Sequence, residues 1–357
     1  MTEALKPGAT IGILGGGQLG RMLSVAAARL GFKTCIYEPG GDCPASHVAN
    51  YHFQKPYDDT DALTQFAQSC DVVTYEFENI PTDALDIIEA HAPLHPGREA
   101  LATSQDRFLE KNFLTRIGLK TAPFAAVDDA DSLERAIDQI GTPAILKTRT
   151  LGYDGKGQAR LASPDDAATA LEAMKGAPAL LEGFVNFTSE VSVIGTRSAD
   201  GAIACFDPGE NVHEGGILRT TTIPATLTSA QRTDAVLLAA NILNALDYVG
   251  TMGVELFVTP AGLIVNEIAP RVHNSGHWTQ NGCAVDQFEQ HIRAVAGWPL
   301  GDGSRHSNVV MENLIGDDMN RVPDLSATNV SLHLYGKAEA KPGRKMGHVN
   351  RVTGPAN

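Results

Sequence analysis

The sequence predicts a mixed α/β and α+β protein in which a parallel-sheet domain precedes two further domains. From Thr10, a short apolar strand, a glycine turn, a helix and a second strand follow one another, which is the pattern of a βαβ unit. A helical segment over 98–118 is then interrupted at Thr121-Ala122-Pro123, as expected at a domain boundary. From about Asn186 the chain becomes rich in strands. Its 357 residues are enough for two or three domains that each bury a core.

The elements follow in order from hydrophobic periodicity and turn residues. In the first domain we predict strands at 11–14, 34–37 and 71–76, and helices at 18–30 and 82–91, the second capped by Thr82. The second domain is predicted to contain helices at 132–140 and 165–174, and strands that end at Lys147 and Glu182. The third is predicted to contain an alanine-rich helix at 229–246. The predicted domain bounds are 1–105, 106–185 and 186–357.

Composition restricts the classes of function. Hydrophobic residues make up 43% of the chain and charged residues 20%, as in soluble globular proteins. The formal net charge of −14 opposes binding to nucleic acid or to an anionic membrane. A phosphate-bearing ligand would therefore have to be held by local cations.

Cysteine usage and the termini indicate the compartment. The five cysteines are odd in number and contain no Cys-x-x-Cys pair, so neither a disulfide framework nor a thiolate zinc site is predicted. The segment 1–10 lacks the apolar core of a signal peptide, and no run approaches the roughly 20 apolar residues that span a bilayer. We expect a soluble cytoplasmic protein.

The first glycine loop, Gly15 to Gly20, has the spacing G-x-G-x-x-G between a strand and a helix, and Glu38 ends the next strand. That spacing is typical of dinucleotide-binding Rossmann domains. The spacing by itself implies less than a dinucleotide site. It shows only that a ligand can approach the backbone closely and that N–H groups are available at a helix N-terminus. A dinucleotide, another ligand such as a sugar phosphate or a polar ring, and a purely structural turn all remain open.

A second glycine loop, 152–158, directly follows the strand that ends at Lys147. Its three glycines predict a flap whose N–H groups close over phosphates, with Lys147 and Lys156 as counter-charges. The spacing is not that of a P-loop. Judged alone, the segment fits a glycine-rich hairpin with solvated lysines slightly better.

Glu255 and Glu267 lie on two apolar strands joined through Pro260-Ala261-Gly262, which predicts a β-hairpin. A three-residue loop places Glu255 opposite Glu267, whereas a four-residue loop places it opposite Asn266. Either register gathers the hard oxygen ligands that Mg²⁺ takes together with nucleotide phosphates. The alternative is a solvated acidic pair, but acids on apolar strands need a partner, which favours the metal.

The segment 266–278 holds the densest group of reactive side chains, and it predicts a reaction centre. His273 and His277 have the i, i+4 spacing of a zinc pair on a helix. Pro270, Asn274 and Gly276 do not favour a helix, however, and no third soft ligand is apparent, so we reject zinc. Hydrogen bonding, acid–base chemistry or ordering of the loop is the expected role of these histidines.

These segments together resemble the N5-carboxyaminoimidazole ribonucleotide synthetases, which are ATP-grasp enzymes of purine biosynthesis. The resemblance covers nearly the whole chain and is carried by the segments 15–22, 75–81, 147, 152–158, 213–220, 266–282 and 342–348. The motif from Ala269 to Thr279 is far more specific than either glycine loop. The resemblance implies an ATP-grasp fold behind an N-terminal Rossmann-like domain, and a homodimer is expected.

The resemblance also implies an ATP site between the second and third domains. It places Arg107 and Lys147 on the phosphates, the flap over them, Glu182 to Val185 along adenine and Glu190 on the ribose. The full implied set is Arg107, Lys147, Gly152, Tyr153, Asp154, Gly155, Lys156, Gly157, Gln158, Glu182, Gly183, Phe184, Val185, Glu190, His213, Asn266 and Glu267. Glu255 and Glu267 would hold Mg²⁺.

The implied substrates are ATP, bicarbonate and 5-aminoimidazole ribonucleotide. The positions implied for the ribonucleotide are Gln18, Leu19, Glu76, Tyr153, Arg271, His273, Asn274, Arg344 and Lys345, the last two as candidates for its phosphate. The implied reaction forms carboxyphosphate and then transfers its carboxyl unit to the amine. Arg271 suits a planar carboxylate-like intermediate, Asp154 suits a general base, and His273 and Asn274 would surround the amine.

Three other classes of function are alternatives to this one. A formate-using glycinamide ribonucleotide transformylase or a biotin carboxylase would keep the ATP residues but should differ at 273–278. A nicotinamide-dependent dehydrogenase leaves Lys147, the flap and the acidic pair unexplained. A catalytically inactive nucleotide-binding module is disfavoured by the presence of both acidic metal candidates and Asp154.

Overall fold

The computed structural model describes residues 4–152 and 157–356, and these residues form three β-sheets. The N-terminal sheet is parallel with strand order β3-β2-β1-β4, and helices cover it, which is why β1, β2 and β4 are almost entirely buried, whereas the edge strand β3 is not. Its elements are β1 (Thr10–Leu14), α1 (Gln18–Arg29), β2 (Lys33–Tyr37), β3 (Tyr51–Phe53), α2 (Thr60–Gln68), β4 (Val72–Tyr75), α3 (Thr82–Glu89) and α4 (Arg98–Gln105). The predicted mixed fold with an N-terminal parallel sheet is confirmed.

The second sheet is antiparallel with strand order β5-β8-β6-β7. The elements of this part are α5 (Arg107–Arg116), β5 (Phe124–Val127), α6 (Ala130–Ile140), β6 (Ala144–Thr148), β7 (Gln158–Leu161), α7 (Ala167–Ala173) and β8 (Ala179–Gly183). Apolar residues of α6 and of the strands form one buried cluster, and Asp129 caps α6 by accepting from the backbone N–H of Ser132. The sheet presents the ends of β6 and β8 to the third sheet.

The third sheet has nine strands in the order β14-β13-β9-β11-β12-β15-β17-β16, with β10 paired to β9. The elements are β9 (Ser189–Arg197), β10 (Ile203–Cys205), β11 (Gly209–Glu214), β12 (Ile217–Ile223), α8 (Ser229–Ala245), β13 (Gly250–Thr259), β14 (Gly262–Ala269), α9 (Thr279–Gly282), α10 (Gln287–Val295), β15 (Ser307–Ile315), α11 (Val322–Ser326), β16 (Ser331–Leu334) and β17 (Lys345–Pro355). Helix α8 packs its buried alanines Ala235 and Ala239 against this sheet. No described helix is both long enough and apolar enough to cross a membrane.

Two local predictions were wrong. Thr82 does not cap α3, because the N-cap position is Pro81 and no side chain bonds to the first turn. The segment predicted as one helix is divided at Asp106, whose carboxylate accepts hydrogen bonds from the backbone N–H of Phe108 (2.8 Å) and Leu109 (3.2 Å). Arg149 holds that carboxylate with an ion pair of 2.6 Å. The break starts α5 at Arg107 and aims its first turn at the third sheet.

Candidate active site

The acidic hairpin is formed by β13 and β14, at one edge of the nine-stranded sheet. Thr259 pairs with Gly262, so the turn has two residues instead of the three or four that the sequence suggested. This register alone would place Glu255 opposite Asn266, but an irregularity after Glu255 adds one residue on β14. Glu255 therefore pairs with Glu267, as one of the two predicted registers requires.

The side chains of Glu255 and Glu267 are only partly buried, 15% and 39% exposed, but two carboxylates this close do not both ionise readily without a nearby cation. Burial, and then the charge of Glu267, raise the pKa of Glu255 to about 7. Burial also opposes ionisation of Glu267, but Arg107 overcomes it through an ion pair of 3.0 Å and holds the pKa of Glu267 below its ordinary value. The pair is thus an acidic centre in which Glu267 is ionised and Glu255 would ionise more readily if a cation were bound beside it.

Next to this pair lies a buried chain of alternating charges. Lys147 Nζ contacts Glu182 Oε2 at 2.9 Å, and Lys111 Nζ lies 3.7 Å from the same oxygen. Lys111 is only 1% exposed and donates a 2.7 Å hydrogen bond to the backbone carbonyl of Asn266. Despite burial, the two lysines hold the pKa of Glu182 below its ordinary value. These contacts connect β6, β8, α5 and β14.

Lys111 and its neighbour Glu110 were missed by the sequence reasoning. Glu110 accepts a 2.7 Å hydrogen bond from the backbone N–H of Ile268, while Lys111 binds the carbonyl of Asn266. The two adjacent side chains therefore hold the backbone on either side of Glu267, and Arg107 from the same helix holds its carboxylate. Helix α5 fixes the acidic residue through three contacts.

Burial raises the pKa of Glu110 to about 8, above its unfolded value, so the folded protein retains a proton that the unfolded chain releases. The stability contributed by this group is present below about pH 4.5 and is lost as pH rises to about 8. Glu110→Gln keeps an acceptor for Ile268 but does not titrate. We expect the free energy of unfolding of this variant in urea, relative to wild type, to rise between about pH 5 and about pH 8, by on the order of 1–3 kcal/mol. A difference independent of pH would contradict the protonated state.

The remaining implied ATP residues lie on the same side of the sheets. His213 on β11 lies 3.3 Å from Glu190 on β9, and this neighbour raises the histidine pKa although burial opposes it. Gly183 and Phe184 already donate their backbone N–H groups to carbonyls of Pro123 and Pro143. The ring of Phe184 is partly exposed, and Val185 follows it.

The flap is described only in part. Gly152 accepts a 3.2 Å hydrogen bond from Arg107 through its carbonyl, and Gly157 and Gln158 lead into β7, which pairs with β6. The predicted residues Tyr153, Asp154, Gly155 and Lys156 lie outside the described residues.

The first glycine loop is occupied by the protein's own carboxylates. Gly16 donates its N–H to Glu38 (3.0 Å) and Gly17 donates to Glu76 (2.7 Å). A Cβ on Gly16 would lie 2.6 Å from Glu38 Cγ, so the contact requires glycine. Anions already bind the N–H groups that a pyrophosphate would need, which argues against the dinucleotide alternative.

Glu76 is buried beside Gln18 and Leu19, the other predicted residues of this loop. Burial raises the pKa of Glu76, whereas the Gly17 hydrogen bond and the charge of Arg271 oppose this change. Leu19 faces the core and can offer a ligand only its backbone, while Gln18 is half-buried at the start of α1. The pocket wall at this loop is acidic, and a polar ring or amine fits it better than a phosphate.

The predicted reaction loop follows β14. Arg271 reaches Glu78 with an ion pair of 2.8 Å and donates to the carbonyl of Val272 (3.1 Å). His273 Nε2 lies 3.5 Å from Glu255, and Nδ1 lies 2.8 Å from the Ser275 hydroxyl. Burial drives the pKa of His273 well below its ordinary value, so the contact with Glu255 is polar and not ionic. His273 thus connects the acidic pair to the loop.

Asn274 begins a short 3₁₀ turn, Asn274–Gly276, so no α-helix places His273 and His277 on one face. His277 is fully buried and its ring packs on that of His348, with centroids 4.6 Å apart. Neither amide atom of Asn274 has a hydrogen-bond partner among the described residues, although both atoms are buried. A buried amide without a partner is costly, which points to a bound molecule as its partner.

Arg344 and Lys345 lie where the last loop enters β17. Arg344 donates a 3.0 Å hydrogen bond to the carbonyl of Glu339. The charge of Lys345 opposes protonation of His273, whose pKa is lowered mainly by burial, and it also opposes protonation of His213, whose pKa is raised overall. Lys345 therefore acts electrostatically on two residues of the site, although it is distant from them along the chain.

Comparison with known proteins agrees with this geometry. Three family models match: a ribonucleotide synthetase preATP-grasp domain over 8–105, an ATP-grasp domain over 112–288, and a phosphoribosylaminoimidazole carboxylase C-terminal domain over 309–356. An N5-carboxyaminoimidazole ribonucleotide synthase from Brucella melitensis is 56% identical over 98% of both chains.

Two solved structures share the fold. An N5-carboxyaminoimidazole ribonucleotide synthetase in complex with ADP has a TM-score of 0.96 at 43% identity, over 99% of this chain and 94% of that chain. The enzyme from Aspergillus clavatus, in complex with ADP and 5-aminoimidazole ribonucleotide, has a TM-score of 0.91 at 33% identity, over 98% and 94%.

Fold and site together define an ATP-grasp enzyme, in the class of ATP-dependent carbon–nitrogen ligases. Within that class, the chain belongs to the N5-carboxyaminoimidazole ribonucleotide synthase family, whose reaction is an ATP-dependent carboxylation in purine biosynthesis. The rival ATP-grasp activities and the dehydrogenase are not favoured.

Proposed function

We propose that the chain uses ATP to activate bicarbonate as carboxyphosphate and transfers the carboxyl unit to the amine of 5-aminoimidazole ribonucleotide. The observation that carries this proposal is the contact between Glu255 and His273. It joins the acidic pair, which suits phosphoryl transfer, to a loop that holds Arg271 and the amide of Asn274, which has no partner among the described residues. The two halves of the reaction would thus take place at adjoining parts of one site.

Mg²⁺ fits the acidic pair. A divalent cation between Glu255 and Glu267 would remove the mutual repulsion that raises the pKa of Glu255. Among the described residues no group of three or more metal-binding side chains occurs, so phosphate oxygens and water would complete the coordination. The ion would supply positive charge to offset that of the moving phosphoryl group.

For ATP, we assign the phosphates to Lys147 and Arg107, which are the cations beside the acidic pair. The phosphates of ATP would compete with the carboxylates of Glu182 and Glu267 for Lys147 and Arg107. Binding of the phosphates would be favourable because an ionised phosphate attracts a cation more strongly than one carboxylate does. The flap at 152–158 would close over them, the segment 182–185 would line adenine, and Glu190 with His213 would contact the ribose. Asn266 would lie beside the phosphates.

The ribonucleotide is assigned to the space between the first glycine loop and the reaction loop. Its aminoimidazole would lie against Glu76, with Gln18 and the backbone of Leu19 beside it. Because the loop N–H groups bind carboxylates, the phosphate belongs elsewhere, and Arg344 with Lys345 supplies the required positive charge. Tyr153 belongs to the same proposed set.

The transfer step forms the bond between the amine nitrogen and the carbon of carboxyphosphate, and it breaks the bond from that carbon to the phosphate oxygen. Phosphate leaves with the bonding electrons, and the proton of the amine passes to Asp154, our proposed base. Arg271 already binds one carboxylate, that of Glu78, and a planar carboxyphosphate matches the same donors. The neutral ring of His273 can donate a hydrogen bond. It is a poor acid–base group because burial holds its pKa well below the ordinary value.

A cytoplasmic location is proposed because all five cysteines are unpaired, as expected in a reducing compartment. The partners proposed are small molecules, without nucleic acid or membrane, and the homodimer stays a prediction.

The proposed function is tested by ADP release from Mg-ATP and bicarbonate, with and without 5-aminoimidazole ribonucleotide. We expect release to require the ribonucleotide. Release at the same rate without it, from a folded sample, would contradict the assignment of that substrate.

A further inference from the structure

Gln287, the first residue of α10, makes three hydrogen bonds to the reaction loop. Its Oε1 accepts from the backbone N–H of His273 (2.9 Å), while Nε2 donates to the carbonyl of the same residue (2.8 Å) and contacts His277 Nδ1 at 2.9 Å. The side chain is completely buried. Every hydrogen-bonding atom of this amide is thus directed at the loop.

The two hydrogen bonds to His273 allow only one orientation of the side-chain amide. Its NH₂ group must face the backbone carbonyl of His273, and its oxygen must face the backbone N–H. The second amide hydrogen then points at His277 Nδ1, which must act as an acceptor. His277 is therefore neutral and carries its proton on Nε2. Burial also lowers the pKa of His277 well below its ordinary value, which agrees with a neutral ring.

The surroundings leave the loop no room to adjust. A Cβ on Gly276 would lie 2.7 Å from Gln287 Oε1 and 2.8 Å from Ile194 Cγ1, so the loop backbone packs directly on this amide. Beyond the loop, Ser275 accepts a 2.7 Å hydrogen bond from the buried hydroxyl of Ser192. Loss of the amide contacts would therefore shift the backbone at His273 and Asn274 instead of being absorbed locally.

We propose that Gln287 is a positioning residue for carboxyl transfer: it fixes the backbone of His273 and the tautomer of His277, and thereby the loop that presents Arg271, His273 and Asn274. The inference rests on the proposed function of that loop. Gln287 itself touches none of the proposed reacting atoms. We expect its effect to be larger for the ribonucleotide than for ATP, because the proposed ATP contacts on β6, β8, β9 and α5 lie outside this loop, while the loop touches the acidic pair through the contact of His273 with Glu255.

The same helix offers a matched control, one turn later. Gln290 is also completely buried, and it pairs in the same way with the backbone of Gly301, accepting from N–H (2.8 Å) and donating to C=O (2.8 Å). Gly301 does not belong to the proposed site. Both glutamines thus tie a loop to α10, and only one of these loops carries proposed catalytic residues.

The experiment compares Gln287→Glu with Gln290→Glu in the full chain. Each change keeps side-chain shape, removes the amide donors and puts a carboxylate against a backbone carbonyl, so both should lower the thermal midpoint to a similar extent. For Gln287→Glu we expect kcat/KM for 5-aminoimidazole ribonucleotide to fall roughly 10²-fold while the KM for ATP changes less than about twofold. Gln290→Glu should leave both values within about twofold of wild type.

Equal kinetic effects in the two variants, or wild-type kinetics for Gln287→Glu, would overturn the proposal. If Gln287→Glu does not fold, Gln287→Met, which buries no charge and makes none of the three bonds, carries the same expectation. A wild-type enzyme without ribonucleotide-dependent ADP release would refute the proposed function itself. Normal wild-type release combined with unaffected variants would refute only the role of Gln287.

Discussion

Glu267→Gln should nearly abolish turnover while leaving the protein folded. The change keeps the shape of the side chain and an acceptor for Arg107, which now lies 3.0 Å from the carboxylate. It removes the one carboxylate of the acidic pair whose pKa is held low, and it leaves only the Glu255 carboxylate of the pair to hold the cation. We expect kcat to fall by roughly 10²- to 10³-fold, the range found when a charge that stabilises the transition state is lost.

The measurement is ADP release as a function of Mg²⁺ concentration at saturating ATP. We expect Glu267→Gln to require more Mg²⁺ for its residual activity. Glu110→Gln is the matched control, because Glu110 is a buried carboxyl beside the same strand but bonds only to the backbone N–H of Ile268. It should keep the wild-type dependence on Mg²⁺. Unchanged turnover of Glu267→Gln at low Mg²⁺ would remove this residue from the metal site.

The architecture could be predicted where periodicity and turn residues act locally. The βαβ pattern gave α1 to within one residue at its end, and the apolar strands around Pro260 gave the hairpin. The register of that hairpin could not be derived, because the extra residue near Asn266 depends on contacts from α5 and not on the turn. A tertiary contact thus decided which side chain faces Glu255.

The site was predictable where residue type and motif coincide, as at Lys147 and the segment from Asn266 to Trp278. Lys111 gave no signal, because a lysine beside a glutamate in a polar helix usually belongs to a solvated face, and only packing against β14 buries it. Gln287 was missed for a similar reason, since an amide at a helix start has no pattern of its own. The carboxylates that occupy the first glycine loop come from the ends of β2 and β4, and their arrival there depends on the sheet order.

Arg271→Lys should separate ATP use from carboxyl transfer. The guanidinium forms an ion pair with the Glu78 carboxylate (2.8 Å) and donates to the Val272 carbonyl (3.1 Å) at the same time, and its plane matches a bicarbonate or carboxyphosphate. A lysine keeps the charge but offers a single point of contact on a flexible stem. We expect formation of the carboxylated product to fall roughly 10²-fold, with more than one ADP released per product because misplaced carboxyphosphate is hydrolysed.

The control for this substitution is Arg197→Lys. Arg197 has the same pattern of contacts, with Asp247 at 2.6 Å and the carbonyl of Tyr248 at 3.0 Å, but it lies at the far end of β9 from the proposed site. A lysine cannot make both contacts at once, so Arg197→Lys should lower stability. It should leave the ratio of ADP to product near that of wild type. If Arg271→Lys keeps the same ratio and rate as Arg197→Lys, then the planar geometry of Arg271 is not required for carboxyl transfer. The carboxyl group would in that case have to be oriented by the amide of Asn274, the buried group of the loop that has no partner among the described residues.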